Sequence, residues 1–117
     1  MHRMYNLVQD LRQRLKNERP HRLRRCVAYG HMGDGNLHLN LTSDTYDEKL
    51  FNILEPFIFE WTRDNTGSVS AEHGLGLKKR DYIYHSKPRE LVDVMKKMKI
   101  MLDPKGILNP YKTLPSF

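Results

Sequence analysis

The sequence has a single cysteine, Cys26, and it lacks long hydrophobic runs, internal repeats and low-complexity segments. One cysteine excludes an internal disulfide framework and is typical of a reducing compartment. No apolar run approaches the roughly 18 residues that a membrane-spanning helix requires, and the first residues do not form the continuous apolar segment of a secretory signal. We therefore expect neither a membrane span nor a disulfide-stabilised secreted domain.

The formal charge of +6 lies at one end of the 117-residue chain. Residues 1–25 carry eight basic and two acidic side chains, whereas residues 26–117 carry 12 of each. A nucleic-acid-binding function would depend on this first segment, but its closing arginines are not interleaved with aromatic side chains. An Arg-rich amphipathic start is also typical of a mitochondrial presequence, but Asp10, Glu18 and the absence of serine argue against that interpretation. We expect no nucleic-acid partner and interpret the segment as a helix with a solvated basic face.

Apolar residues recur at the spacing of one helical face in three segments. They are Met4, Leu7, Val8, Leu11 and Leu15 in the first segment, Leu50, Phe51, Leu54, Phe57, Ile58 and Trp61 in the second, and Leu91, Val94, Met95, Met98, Met101 and Leu102 in the third. The first predicted helix ends at Pro20, because proline cannot continue a helix. The second has its N-cap at Ser43 or Asp44 and is expected to kink at Pro56. The third is predicted to begin at Pro88, a favoured first-turn residue. In each helix we expect the apolar face to be buried in the core.

Three short segments are predicted to be β-strands, namely residues 26–29, 36–42 and 68–70. The pair Asp34–Gly35 between the first two is a hairpin signal. Along residues 36–42 leucines alternate with polar residues, so His38 and Asn40 share a polar face of the sheet. The order α-β-β-α-β-α predicts an α+β fold, a small antiparallel sheet with helices packed on one face.

Three histidines and one glutamate stand beside glycines in two predicted turns. His31 and His38 flank the first turn, and Glu72 and His73 lie in the second. Two imidazoles and one carboxylate are the ligand set of a catalytic zinc ion with an open fourth position. Glycine lets the backbone approach a ligand closely. From these residues, a divalent metal site and a set of polar surface side chains remain the two alternatives.

Three motifs resemble the C-terminal part of the FAD-linked 2-hydroxyacid dehydrogenase family. They are residues 30–40 (GHMGDGNLHLN), residues 67–76 (GSVSAEHGLG) followed by Lys79 and Arg80, and residues 102–110 (LDPKGILNP). The resemblance covers almost the whole chain, from about Met4 to Pro115. It implies that residues 1–117 are the C-terminal part of the substrate domain of such an enzyme. The FAD-binding domain and the upstream Arg and Lys side chains that clamp the substrate would then lie outside this chain.

The resemblance also implies a role for each candidate site residue. The residues that correspond to metal ligands are His31, His38 and Glu72. The expected ion is zinc, with manganese as the alternative. His73 corresponds to a substrate-binding catalytic base, Asn40 lines the substrate pocket, and Asn109 lies where the tail returns towards the flavin.

The implied reaction is flavin-dependent oxidation of a D-2-hydroxy acid. The expected substrate is D-2-hydroxyglutarate, which would become 2-oxoglutarate, and D-lactate is the alternative. FAD and a divalent metal ion would be the cofactors, an electron-transfer acceptor would be a partner, and the mitochondrion would be the location. A divalent ion lowers the pKa of a bound hydroxyl group, so a neutral histidine can deprotonate it. The other interpretation is a truncated, non-catalytic module, since half a site cannot catalyse.

Overall fold

The computed structural model describes residues 2–18 and 23–116. Within these ranges the helices and strands are α1 (His2–Glu18), β1 (Leu23–His31), β2 (Asn36–Ser43), α2 (Glu48–Asp64) and α3 (Arg89–Leu102), with 3-10 helices at Met32–Asp34 and Arg80–His85. The predicted α+β class is confirmed. Arg19, Pro20 and Arg22 lie outside the described residues, and so does the predicted end of the first helix at Pro20. The chain divides into two compact units, residues 1–61 and 62–117.

The first helix buries the face that its sequence predicts. Its five periodic apolar side chains are all at most 9% exposed, namely Met4, Leu7, Val8, Leu11 and Leu15. They recur every three or four residues, so they form one stripe along α1. The positively charged side chains occupy the other faces, which leaves the apolar stripe available for packing.

The two strands form the predicted antiparallel hairpin. Gly35 has a left-handed backbone, with φ of 71°, and its N–H donates to the Met32 carbonyl at 3.4 Å. This conformation is favourable for glycine because it has no Cβ. The pairing of Cys26 with Leu41 and of Ala28 with Leu39 places the leucines of β2 on one face of the hairpin. The alternation of apolar and polar faces is therefore confirmed.

Helices pack on the apolar face of the hairpin, as predicted. The core of the first unit contains Leu11 and Leu15 from α1 together with Leu50 and Leu54 from α2. Side chains of the sheet that pack against this cluster are Leu23, Cys26, Leu39 and Leu41. A register irregularity between Leu23 and Arg25 lets Leu23 and Cys26 contact the same core, although an odd spacing would place them on opposite faces of a regular strand.

The prediction for the start of α2 was wrong by one turn. Neither Ser43 nor Asp44 caps this helix. Asp47 does, because its Oδ1 accepts hydrogen bonds from the N–H groups of Lys49 at 3.0 Å and Leu50 at 3.3 Å. Ser43 instead donates from its hydroxyl to the Thr45 carbonyl at 2.7 Å. The cap forms at the aspartate closest to the first helical turn, where a carboxylate satisfies two N–H groups that lack helical partners.

The apolar face of α2 also differs in part from the prediction. Leu50 and Leu54 are buried as expected, but Phe51 is 41% exposed and Phe59, which was not assigned to the stripe, is 6% exposed. Pro56 lies inside a continuous helix. The kink expected at this proline stays a prediction.

The strand predicted at residues 68–70 is absent, since the described residues form one sheet that contains only β1 and β2. Val69 is 5% exposed, and its N–H donates to the Ser86 hydroxyl at 3.0 Å. The Ser86 hydroxyl thus accepts the hydrogen bond that a neighbouring strand would otherwise accept. Ala71 then has φ of 45°, which turns the chain. Alternating polar and apolar residues cannot form a strand where no neighbouring strand accepts their hydrogen bonds.

The third helix begins at Arg89, one residue after the predicted start, with Pro88 as its N-cap, and it buries a different face. Val92 is fully buried, whereas Leu91, Met98 and Met101 of the predicted stripe are 45%, 51% and 70% exposed. The 3-10 helix Arg80–His85, which was not predicted, packs against α3, and its Ile83 is 1% exposed. Packing in the second unit, and not helical periodicity, decides which face of α3 is covered.

Three arginines of the basic first segment contact other residues of the first unit. Arg24 Nε lies 2.7 Å from Asp44 Oδ1, and Arg12 donates to the Cys26 carbonyl at 3.2 Å. The guanidinium of Arg14 lies 5.3 Å from the centre of the Phe57 ring. Part of the positive charge therefore has partners in the same unit. Among the residues that the structure describes, no helix has the length and apolar character needed to cross a membrane.

Candidate functional site

The hairpin turn brings His31 and His38 close together. His31 is the last residue of β1, and His38 is the third residue of β2. Gly30 has φ of 154°, and a Cβ atom at this position would lie 2.5 Å from the Asn36 carbonyl oxygen and 3.0 Å from Cδ2 of His38. Glycine is therefore required for the close approach of the backbone and the His38 ring.

The two imidazole rings are close enough to share a metal ion. The ring centroids of His31 and His38 are 5.8 Å apart, and the planes meet at 62°. Zn–N bonds measure about 2.0–2.1 Å, so rings this close can each direct one nitrogen to the same ion. His31 is exposed and His38 is half-buried, which leaves access from solvent. The donor chemistry of this pair fits a divalent metal.

Two further side chains lie on the polar face of the hairpin. Tyr29 is paired with His38 across the strands, and their rings are stacked at 6.4 Å between centroids. Asn40 lies two residues beyond His38 on the same face, and its Nδ2 donates to the His38 carbonyl at 3.4 Å. Asn40 therefore lies beside His38 on the polar face of the hairpin. Tyr29 was not predicted, although its position two residues before His31 in a strand places it on this face.

Glu72 and His73 lie in the second unit, in a segment of consecutive turns. The Ala71 N–H donates to the Ser68 carbonyl at 3.4 Å, and the Gly74 N–H donates to the Ser70 carbonyl at 3.1 Å. Gly74 has φ of 74°, a conformation that favours glycine. These turns expose both side chains, 42% for Glu72 and 71% for His73. His73 Nε2 lies 3.2 Å from Glu72 Oε1, so the carboxylate contacts the imidazole next to it.

Asn109 lies in the tail that follows α3, with a left-handed backbone, φ of 48°. The tail and α3 line a partly open pocket of about 640 Å³ within the second unit. Lining residues include Arg80, Met98, Asn109 and Leu114. The volume lies in the range that small-molecule sites occupy. The structure thus places Asn109 beside a space that can hold part of a ligand.

Two residues that shape this tail were not predicted. Asp103 is buried, and its carboxylate accepts from Lys99 Nζ at 2.6 Å. The hydrogen bond from Lys99, with those from the N–H groups of Leu108 and Ile107, holds the pKa of Asp103 below its ordinary value. The four-residue spacing of Lys99 and Asp103 is the one sequence signal that could have identified the pair.

The comparisons with known proteins agree with the motifs. Residues 1–113 match the family described as FAD linked oxidases, C-terminal domain. The chain is similar to the mitochondrial D-2-hydroxyglutarate dehydrogenases of Danio rerio (58% identical over 113 residues), Bos taurus (55% over 114) and Rattus norvegicus (54% over 114). Each alignment covers 97% of this chain and 20–21% of the relative, so the chain spans about a fifth of the length of these relatives. This chain belongs to the family of FAD linked oxidases, C-terminal domain.

Proposed function

We propose that this chain is the C-terminal part of a flavin-dependent dehydrogenase that oxidises D-2-hydroxyglutarate to 2-oxoglutarate. The observation that carries the proposal is 58% identity, over 97% of the chain, to a protein named D-2-hydroxyglutarate dehydrogenase. The family description supports FAD as the cofactor, and the mitochondrial names of the relatives support a mitochondrial location. Since the chain spans about a fifth of these relatives, we expect the isolated chain to be inactive.

His31, His38 and Glu72 are proposed to bind a divalent metal ion, with zinc expected. Two imidazoles and one carboxylate are a ligand set of catalytic zinc, and they leave one position for the substrate. The 5.8 Å spacing of the two imidazole rings in the hairpin supports this assignment. When bound, such an ion lowers the pKa of a coordinated hydroxyl group. Asn40, on the same face as His38, is proposed to contact the substrate or to orient the imidazole.

His73 is proposed to be the base that takes the proton of the substrate hydroxyl. Its Nε2 lies 3.2 Å from Glu72 Oε1, so an Nε2–H tautomer would donate to that carboxylate. This tautomer places the accepting lone pair on Nδ1, which would receive the proton. Flavin, when bound, would accept the hydride that leaves the carbon bearing this hydroxyl group. Asn109 is proposed to contact the flavin from the tail.

A graft into a relative tests the function and the base together. In this experiment the chain replaces the matching segment of the Danio rerio dehydrogenase, and the matching segment of the Bos taurus protein serves as the control graft. We expect the graft to bind flavin and to oxidise D-2-hydroxyglutarate. His73→Asn should lower kcat at least 100-fold, within the range for loss of general-base catalysis. His85→Asn, whose ring contacts Tyr82 at 5.5 Å between centroids, should retain activity.

Two outcomes would contradict these assignments. An inactive graft beside an active control graft would refute the proposed function. Activity of His73→Asn within about tenfold of the parent would refute the base assignment and leave the function in place.

Metal analysis of the same graft tests the ligand assignment. The purified protein should hold about one divalent ion per chain, and His38→Ala or Glu72→Gln should weaken metal affinity at least tenfold. His85→Asn again serves as the matched control. An active graft without a divalent ion would refute the metal site.

A further inference from the structure

Asp103 is a buried charge that holds the tail against α3. Among the residues that the structure describes, it is the one charged residue that is buried, and its side chain is 5% exposed. Its Oδ2 accepts from Lys99 Nζ at 2.6 Å and from the Leu108 N–H at 2.9 Å, and its Oδ1 accepts from the Ile107 N–H at 3.1 Å. A buried carboxylate is costly unless it is paired and hydrogen-bonded, and here three donors meet it.

Lys99 also binds the tail directly, through the carbonyl group of Leu108. Its ammonium group also donates to the Leu108 carbonyl at 2.6 Å. The N–H of Leu108 is bound to Asp103 and its carbonyl to Lys99, so both backbone polar groups of this residue are fixed. The next residue is Asn109, whose φ of 48° lies in the left-handed region. Few residues other than glycine adopt this backbone conformation, and asparagine is one of them.

The tail is also attached beyond Asn109. Arg80 Nη1 donates to the Tyr111 carbonyl at 3.0 Å, and the Thr113 N–H donates to the Gly76 carbonyl at 2.8 Å. Gly76 closes the turn segment that contains Glu72 and His73. Asn109 therefore lies between two anchor points, one at the C-terminal end of α3 and one at the segment that carries the proposed base.

We propose that Asp103, together with Lys99, is a positioning residue that sets the orientation in which Asn109 meets the flavin. This inference rests on the proposed function, because it assumes that Asn109 contacts the flavin. Asp103 itself does not touch the reacting atoms in this role. It acts through the backbone of residues 107–109, and its loss would leave Asn109 present but free to adopt other conformations.

Asp103→Asn is the most informative substitution. It keeps the shape of the side chain and one acceptor oxygen, but it removes the negative charge that pairs with Lys99 and the second acceptor. Lys99→Met is a second variant, which keeps the apolar stem and removes both hydrogen bonds of the ammonium group. Asp93→Asn is the matched control, because Asp93 is an exposed aspartate on the same helix.

Hydrogen exchange on the 117-residue chain measures the attachment directly. We expect amide exchange in the peptide covering residues 103–114 to be at least tenfold faster in Asp103→Asn and Lys99→Met. Exchange in the peptide covering residues 89–102 should be unchanged, which shows that α3 remains folded. Unchanged exchange of residues 103–114 in both variants would overturn the proposal.

Flavin affinity in the graft measures the consequence. We expect the dissociation constant for FAD to rise at least tenfold in Asp103→Asn and Lys99→Met, with kcat reduced and KM for the hydroxy acid changed less than twofold. Asp93→Asn should match the parent. Normal flavin affinity and kcat in both variants of an active graft would overturn the positioning role and leave the proposed function standing. A parent graft that binds no flavin, beside a control graft that does, would overturn both.

Discussion

Removal of the Leu11 side chain should destabilise the first unit more than any surface change on the same helix. Leu11 has no exposed surface, and it packs against Leu15, Leu50 and Leu54. Leu→Ala substitutions in protein cores cost about 2.7–5.0 kcal/mol, and the cost rises with the cavity that remains. Leu11 packs among side chains of α1 and α2, which limits how far they can move into the cavity. We therefore expect the free energy of unfolding to fall by about 4 kcal/mol. This is roughly a thousandfold change in the unfolding equilibrium.

Trp61 provides the probe for this measurement. It is the single tryptophan of the chain, and its Nε1 donates to Asp10 of α1 at 2.9 Å. Its fluorescence therefore reports on the contact between α1 and α2 in the first unit. In urea, with a slope of about 2 kcal/mol per molar, the midpoint of Leu11→Ala should fall by about 2 M. Because these helices support the hairpin, the variant should also weaken metal binding at the proposed site.

Tyr5→Ala is the control for this experiment. Tyr5 lies on the same helix, but its side chain is 64% exposed, so its removal leaves no cavity. We expect a cost within about 0.5 kcal/mol, as for most surface substitutions. A loss below about 1 kcal/mol in Leu11→Ala, or a loss equal to that of Tyr5→Ala, would refute the assignment of Leu11 to the core.

Three further predictions concern single positions. In Gly30→Ala the new Cβ would lie 2.5 Å from a carbonyl oxygen, so we expect a loss of about 1–3 kcal/mol in the free energy of unfolding, measured in urea, and a displaced His38 ring. Gly33→Ala, with open space around the new Cβ, should leave stability unchanged, and equal effects of the two substitutions would contradict this reasoning. Asp47→Ala removes the N-cap of α2 and should cost about 1 kcal/mol by the same assay, and no loss would exclude a capping role. The lowered pKa of Asp103 predicts that the stability advantage over Asp103→Asn is complete above the ordinary pKa of 3.8 and is lost as the pH falls through the lower folded-state pKa. Thermal unfolding from pH 7 into acid tests this, and a constant difference would contradict it.

The local sequence pattern was sufficient to predict the buried faces of α1 and of the hairpin. The apolar stripe of α1, the hairpin at Asp34–Gly35 and the shared polar face of His38 and Asn40 follow from periods of 3.6 and 2 residues and from the backbone freedom of glycine. The candidate ligands could be named before the fold because the motifs that contain them resemble motifs of a known family. Their roles in catalysis stay proposals.

Local pattern failed where a contact from a distant residue decides the structure. Val69 has the sequence of a strand, but the hydroxyl of Ser86 binds its N–H and no strand lies beside it in the described chain. The periodic face of α3 is exposed because the 3-10 helix at residues 80–85 packs elsewhere on it. The sequence also did not predict Asp47 as the N-cap of α2, because the cap depends on where the first turn of the helix forms.

The sequence by itself determined the three α-helices and the hairpin, the face that His38 and Asn40 share, and the family, because these depend on residue type and on spacing along the chain. Only the tertiary structure decided that His31 and His38 have ring centroids 5.8 Å apart, that Glu72 contacts His73, and that Asp103 holds the tail. These distances depend on turn geometry and on hydrogen bonds across loops, which the order of residues does not express. The buried charge of Asp103 shows this most clearly, since an exposed aspartate after a helix would have the same local sequence.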